Sequence, residues 1–203
     1  MSTLDTARPK TRTWTREEYH RAAELGLFDP DERLELLEGE IVEKISPQSN
    51  PHAAGVSLAA EVLRSIFTRG YHVREEKPIV LSDFSEPEPD IVVVKGALRD
   101  TPRHPTQANT LLVVEVSESS LATDRKTKGA IYAKHGILEY WILNLRRREL
   151  EVRRDPGLIE DDEYGYRFLQ VIPESGSATP IAAPDNSVLV ADMLPSELPS
   201  DAI

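Results

Sequence analysis

Residues 111–144 read "LLVVEVSESSLATDRKTKGAIYAKHGILEYWILN", and their order decides the fold. "LLVVEVS" (111–117) is a short apolar run rich in β-branched residues, the pattern of a buried strand. "SESSLAT" reads as a loop. Asp124 can cap a helix running from about Arg125 to His135, and Gly136 stops it. "EYWILNL" (139–145) then reads as a second strand. Strand, helix and strand in this order predict an α/β fold.

Two charged residues sit where apolar ones are expected. On a strand, Glu115 shares a face with Leu111, Val113 and Ser117, inside an otherwise apolar run. An ionised carboxylate there is costly unless something pairs with it. On the following helix, at 100° per residue, Lys128, Ile131, Tyr132 and His135 share one face. Lys128 therefore lies on the stripe that meets the sheet, and its partner should be an acid. Lys126 points the other way, with Ala130 and Lys134, and reads as a solvated charge. Tyr132 and His135 read as packing residues, with the Tyr132 hydroxyl able to reach the same place.

Upstream, "PEPDIVVVKG" (87–96) puts Asp90 behind a proline at the mouth of another buried strand. If the strands after Asp90 and around Glu115 are neighbours, their two acids converge. Two bare carboxylates about 4 Å apart repel by roughly 4 kcal/mol at an effective dielectric near 20. A hard divalent cation turns that repulsion into attraction, and Mg²⁺ accepts one or two carboxylates plus waters. A purely structural explanation competes: Asp90 could cap the turn after Pro89, and Glu115 could pair with an arginine. The pair taken together with Lys128 favours a site.

The rest of the chain frames these segments. Thr15 and Glu18 form a capping-box pattern opening a helix that ends near Phe28. "RLELLEGEIVEKI" (33–45) reads as a hairpin turning at Glu38-Gly39. Glu35 alternates with Leu34 and Leu36, so it is either an exposed strand residue or a third acid. Asn50 can cap a helix with Pro51 at its first position and Gly70 at its C-terminal cap. His52 begins the apolar stripe of that helix and reads as a packing residue. "YHVREEKPIVL" (71–81), "LEVRR" (150–154) and "YRFLQVI" (166–172) read as further strands. The domain reading is a flexible arm over 1–13, one domain over 14–194, and a tail over 195–203.

The chain has no cysteine, which removes disulfides and thiolate chemistry, and its histidines are scattered. No apolar run approaches the roughly 20 residues of a membrane span, and the N-terminus is not a secretory signal. A cytoplasmic protein with no membrane partner is expected. The net charge of −11 opposes nonspecific binding to nucleic acid, so such a function needs a local basic patch or the metal itself. Arg146, Arg147, Arg148, Arg153 and Arg154, around "LRRRELEVRR", could contact phosphates or form a solvated hairpin loop.

The residues quoted above resemble the Uma-type restriction endonuclease family of the PD-(D/E)XK nuclease superfamily. The likeness covers roughly residues 14–155. It rests on "RLELLEGEIV", on Ser46, Pro47 and His52, on "PDIVVV", and most specifically on residues 112–144 with Asp124, Lys128, Tyr132, Gly136 and Glu139-Tyr140-Trp141. The resemblance implies a restriction-endonuclease-like mixed β-sheet flanked by helices. It implies Mg²⁺, with Mn²⁺ as a possible substitute, at Asp90, Glu115 and the Val116 carbonyl, assisted by Glu35. The superfamily pattern would put a lysine at Ser117. Here the lysine role falls to Lys128 on the following helix. The implied activity is hydrolysis of DNA phosphodiester bonds, with Lys128 assisting the attacking water. A second hypothesis, which the acidic charge favours, is a nucleic-acid or protein binding module on a nuclease fold. A nuclease that cuts both strands commonly works as a symmetric pair, so a homodimer is expected.

Overall fold

The structure is a computed structural model, and it describes residues 11–44 and 49–196. Its frame is a six-stranded mixed sheet of order β3-β4-β5-β6-β7-β8. The strands are β3 (Tyr71–Glu75), β4 (Ile91–Lys95), β5 (Thr110–Ser117), β6 (Glu139–Asn144), β7 (Glu149–Glu160) and β8 (Glu163–Pro173). Only β5 and β6 are parallel to each other; the other neighbours are antiparallel. A parallel pair needs a crossover, and the helical segment between β5 and β6 supplies it. That segment comprises α3 (Leu121–Thr123), a π-helical turn over Asp124–Lys128, and α4 (Gly129–Lys134).

Both faces of the sheet are covered, which explains why β4 and β5 read as continuous apolar runs. Helix α2 (Asn50–Ile66) buries Val56, Ala59, Ala60 and Leu63 against Val93, Leu112, Val114, Val116 and Leu143. On the opposite face, Ile131 and Tyr132 of α4 pack with Val92, Val94, Val113, Tyr140 and Ile142. A short helix, α5 (Val190–Met193), joins the α2 side. A separate two-stranded hairpin, β1 (Leu34–Leu37) with β2 (Glu40–Glu43), lies against the α4 side through Leu37. Its turn is at Glu38 and Gly39, both at positive φ (50° and 86°). Thr13 lies so close that a Cβ on Gly39 would come within 2.5 Å of the Thr13 Cβ, so glycine is required there twice over. A third pair, β9 (Ser177–Ala178) with β10 (Val188–Leu189), completes the strands.

Several local expectations are corrected. The first helix, α1 (Arg16–Glu24), has both halves of its capping box but ends before Phe28, where Gly26 turns at φ 68°. Ser49, not Asn50, caps α2, its Oγ accepting from the His52 backbone N–H at 3.2 Å. Helix α2 ends at Ile66, and Gly70 serves the turn into β3 instead. The expected strand over 71–81 breaks at Glu76 (φ 47°), beyond which Val80 forms an isolated bridge to Thr106. Leu111 does not share the face of Glu115. The ladder jumps from Val93↔Leu112 to Val94↔Thr110, so Leu111 is the extra residue of a bulge and packs on the α2 side. The β7–β8 hairpin runs well past "LEVRR" and "YRFLQVI", continuing through Pro156↔Tyr166.

Residues 1–10 of the expected arm, 197–203 of the expected tail, and Ser46 and Pro47 lie outside the described residues. Among the described residues, no helix is long and apolar enough to cross a membrane.

Candidate active site

The last antiparallel pair between β4 and β5 is Ile91↔Val114. One further step sets Asp90 opposite Glu115. No strand pairing continues there. Instead the Asp90 side chain takes over the ladder's role, its Oδ2 accepting the Val116 N–H at 2.7 Å. Pro89 fixes the approach, and the Asp90 carbonyl accepts from Glu76 N at 3.0 Å. The strand-mouth acid is thus held by backbone on both sides.

Glu115 points to the α4 face with Val113, as alternation requires. Its Oε1 accepts from Lys128 Nζ at 3.0 Å and from Tyr132 OH at 2.7 Å. Lys128 and Tyr132 are four residues apart, so one helix face delivers both. The Lys128 amine is buried and also reaches Glu35 Oε1 at 3.2 Å. Glu35 is corrected from the exposed reading: it is buried, and the same Oε1 accepts from Lys44 Nζ at 2.9 Å. Among the described residues, Glu35 Oε2 is buried without a hydrogen-bond partner. His52 stands with Nε2 3.6 Å from Asp90 Oδ1, so it faces the acid and not the apolar core. All of these polar side chains but Tyr132 line a cavity of about 470 Å³.

The remaining expected residues fall outside this arrangement. The Val116 side chain belongs to the α2-side core, and only its backbone meets Asp90. Ser117 is buried beside Asp124, and its carbonyl accepts from the Leu145 N–H at 3.0 Å. His135, read on the same stripe as Lys128, instead bonds Glu38 Oε1 at 2.8 Å. Lys126 is exposed, as expected.

The sequence reading does not place Asp124 or Lys44 in the cavity. Asp124, read as a helix cap and as part of the family motif, is buried in the cavity wall and accepts from Ser120 Oγ at 2.5 Å. Its spacing of four from Lys128 was the available signal. Lys44 follows the end of β2, and no periodicity marks it. Its Nζ also donates to the Glu88 carbonyl at 2.6 Å, which straps the hairpin to the strand mouth.

The electrostatics follow from burial and neighbours. Burial pushes the Glu115 carboxyl up to about 8; Asp90 and Asp124 add to this, against Lys128 and Lys44. Burial also works against ionised Asp90, but His52, Lys128 and Lys44 outweigh it and hold that carboxyl below its usual range. Burial raises Asp124. It opposes the charge on Lys128, which Glu115, Glu35, Asp90 and Asp124 nevertheless drive above the ordinary lysine value. Asp90 raises His52. The cavity thus gathers four carboxyl groups, Glu35, Asp90, Glu115 and Asp124, around the amines of Lys128 and Lys44 and the imidazole of His52.

Among the described residues, no group of three or more His, Asp and Glu is close enough to form a ready-made metal cage. Mg²⁺ needs only one or two carboxylates plus waters. The carboxylates of Asp90 and Glu115 are hard oxygen donors of that kind, and Glu35 Oε2 stands without a partner among the described residues.

Residues 16–180 match the family described as "Uma2: Putative restriction endonuclease". The chain belongs to this family. Among solved structures it is similar to a protein of Anabaena variabilis ATCC 29413 described as "a putative nuclease belonging to DUF820". The two are 19% identical with a TM-score of 0.62, over 88% of this chain and 96% of that one. That likeness supports the fold, a mixed β-sheet flanked by helices. No curated protein matches the chain.

Proposed function

We propose that this protein is a divalent-metal-dependent endonuclease that hydrolyses phosphodiester bonds of DNA. The observation that carries the reading is the amine of Lys128, buried in the cavity 3.0 Å from Glu115 Oε1 and on the sheet end where Asp90 is anchored. A structural ion pair would account for one acid and one lysine. It would not account for an excess of acids opening on a shared cavity.

In this reading Asp90 and Glu115 hold Mg²⁺ or Mn²⁺, with Glu35 assisting. The bound ion would supply Lewis-acid polarisation of the phosphate and a more acidic water. The chain's own residues do the rest. The backbone bond from Val116 fixes the Asp90 carboxylate, which pre-orients its other oxygen, the one His52 faces. Tyr132 fixes Glu115 from behind. Lys128 either orients the attacking water or stabilises charge developing on the phosphate. Glu35 holds the Lys128 amine in place, and Lys44 holds Glu35.

The test is cleavage of plasmid DNA with Mg²⁺ or Mn²⁺, with EDTA, and with Asp90→Ala. Metal-dependent cleavage that the substitution abolishes supports the proposal. Metal-independent cleavage, or no cleavage of any nucleic acid, contradicts it. The second outcome favours a binding module on the same fold, the reading the charge of −11 also permits.

A further inference from the structure

The five arginines around the β6–β7 hairpin divide into two groups. Three are held by carboxylates or carbonyls of this chain. Arg148 Nε donates to Glu174 at 2.6 Å, Arg153 Nη2 to Glu151 at 2.7 Å, and Arg154 Nη2 to Glu139 at 2.6 Å. Arg146 and Arg147 are exposed. Among the described residues no carboxylate lies within ion-pair distance of Arg146, and Arg147 has only Glu149, at 3.9 Å. Their turn is well defined. Arg148 N donates to Leu145 O at 3.4 Å, Arg148 has φ 50°, and Arg147 N donates to Asn144 Oδ1 at 3.3 Å. Arg146 and Arg147 are therefore the two central residues of a tight turn.

The position of that turn matters more than its charge. β5 and β6 are parallel with Ser117 beside Asn144, and Leu145 N donates to Ser117 O at 3.0 Å. The turn thus leaves the sheet at the same end as residues 118–120, which line the cavity. Leu145 also abuts the first turns of α2, its Cδ2 3.1 Å from where a Cβ on Gly55 would sit. The turn joins the next two strands of the sheet, so it stands one to two strand spacings from the Glu115 strand, on the order of 5–10 Å before side-chain length is added. That is the reach of a few successive phosphates of one nucleic-acid strand.

We propose that Arg146 and Arg147 bind backbone phosphates flanking the one in the cavity, so that the ligand is a nucleic-acid polymer and not a nucleotide or small diester. This rests on the nuclease reading above. The net charge of −11 repels a polyanion, and these two exposed guanidiniums, of which only that of Arg147 has a carboxylate within 4 Å among the described residues, lie at the cavity end of the sheet. A planar guanidinium suits bidentate contact with phosphate.

The experiment measures binding of the full chain to a fluorescent 20-base-pair DNA duplex across a salt series, in calcium-containing buffer to limit cleavage. It compares wild type with Arg146→Ala/Arg147→Ala and with Arg146→Lys/Arg147→Lys. Two lost phosphate contacts should reduce the slope of log K against log salt by about 1.8 and weaken binding roughly 10- to 100-fold at low salt. The lysine pair should keep the slope. A double-alanine protein with wild-type slope and affinity overturns the proposal, as does a wild type that does not bind at low salt. Hydrolysis of bis(p-nitrophenyl) phosphate by wild type with Mn²⁺, lost in Asp90→Asn, tests the catalytic reading separately. Failure there leaves the binding measurement able to decide the role of the arginines.

Discussion

Two regions of this molecule bury carboxylates, and they do so differently. On one, Glu139 is fully buried and every oxygen is used. Its Oε1 accepts from Trp141 Nε1 at 3.0 Å and from Arg154 at 2.9 and 2.6 Å, and its Oε2 accepts from Ile181 N at 2.7 Å. Glu151, on the neighbouring strand and the other face, is clamped by Arg125 Nε at 2.7 Å and Arg153 Nη2 at 2.7 Å. On the other, Glu35, Asp90, Glu115 and Asp124 crowd a cavity around Lys128 and Lys44, and Glu35 Oε2 has no partner among the described residues. Burial of an acid is common to both regions. What separates them is whether the chain itself completes the acid's hydrogen bonds. The first region is a closed structural lock, and the second leaves an acid oxygen unanswered among the described residues, as the proposed cation site requires.

The contrast can be broken at its strongest point. Asp90→Asn should lower DNA cleavage by about 10³-fold, a loss of about 4 kcal/mol in transition-state stabilisation, with the melting temperature little changed. Single-turnover kinetics with paired thermal melts would check both halves. Glu139→Ala should do the reverse. Stranding Arg154 and Trp141 should cost about 3–5 kcal/mol of stability in urea titrations, while protein that remains folded cleaves normally. Lys128→Met lies between the regions. We expect cleavage to fall about 100-fold, near 2.7 kcal/mol, and added Mg²⁺ to raise the melting temperature more than it does for wild type. The cation would then replace the lost ammonium. The smallest effect concerns Glu151. Burial opposes its charge, but Arg125 and Arg153 hold the carboxyl below its usual range. A depressed folded-state value adds stability above the unfolded carboxyl range, and that stability is lost as pH falls through the folded value. Glu151→Gln should therefore flatten the acid limb of the stability curve below about pH 4, by about 1 kcal/mol.

Much of this contrast was legible in the sequence. Glu115 and Lys128 stood out because each interrupts an apolar period, and a charged residue on a buried stripe must be answered by another. Asp90 was legible because proline precedes it and a β-branched run follows. Glu139 was not distinguished in the same way, since its partners Arg154 and Ile181 come from a distant hairpin and loop. Glu35 reads as exposed because a short hairpin strand shows alternation without showing which face is covered. Lys44 and Asp124 were missed as cavity residues. Lys44 follows a strand end, and a π-helical turn placed Asp124 in the wall instead of at a helix cap. The Leu111 bulge was invisible because an extra residue in an apolar run leaves the composition of the run unchanged.

The most direct measurement is the anomalous scattering of a crystal soaked in Mn²⁺. An ion should appear within about 2.0–2.3 Å of carboxylate oxygens of both Asp90 and Glu115, with the Lys128 amine still inside the cavity. Manganese absent from that cavity at saturating concentration, or bound only elsewhere while Lys128 keeps Glu115 to itself, would contradict the account.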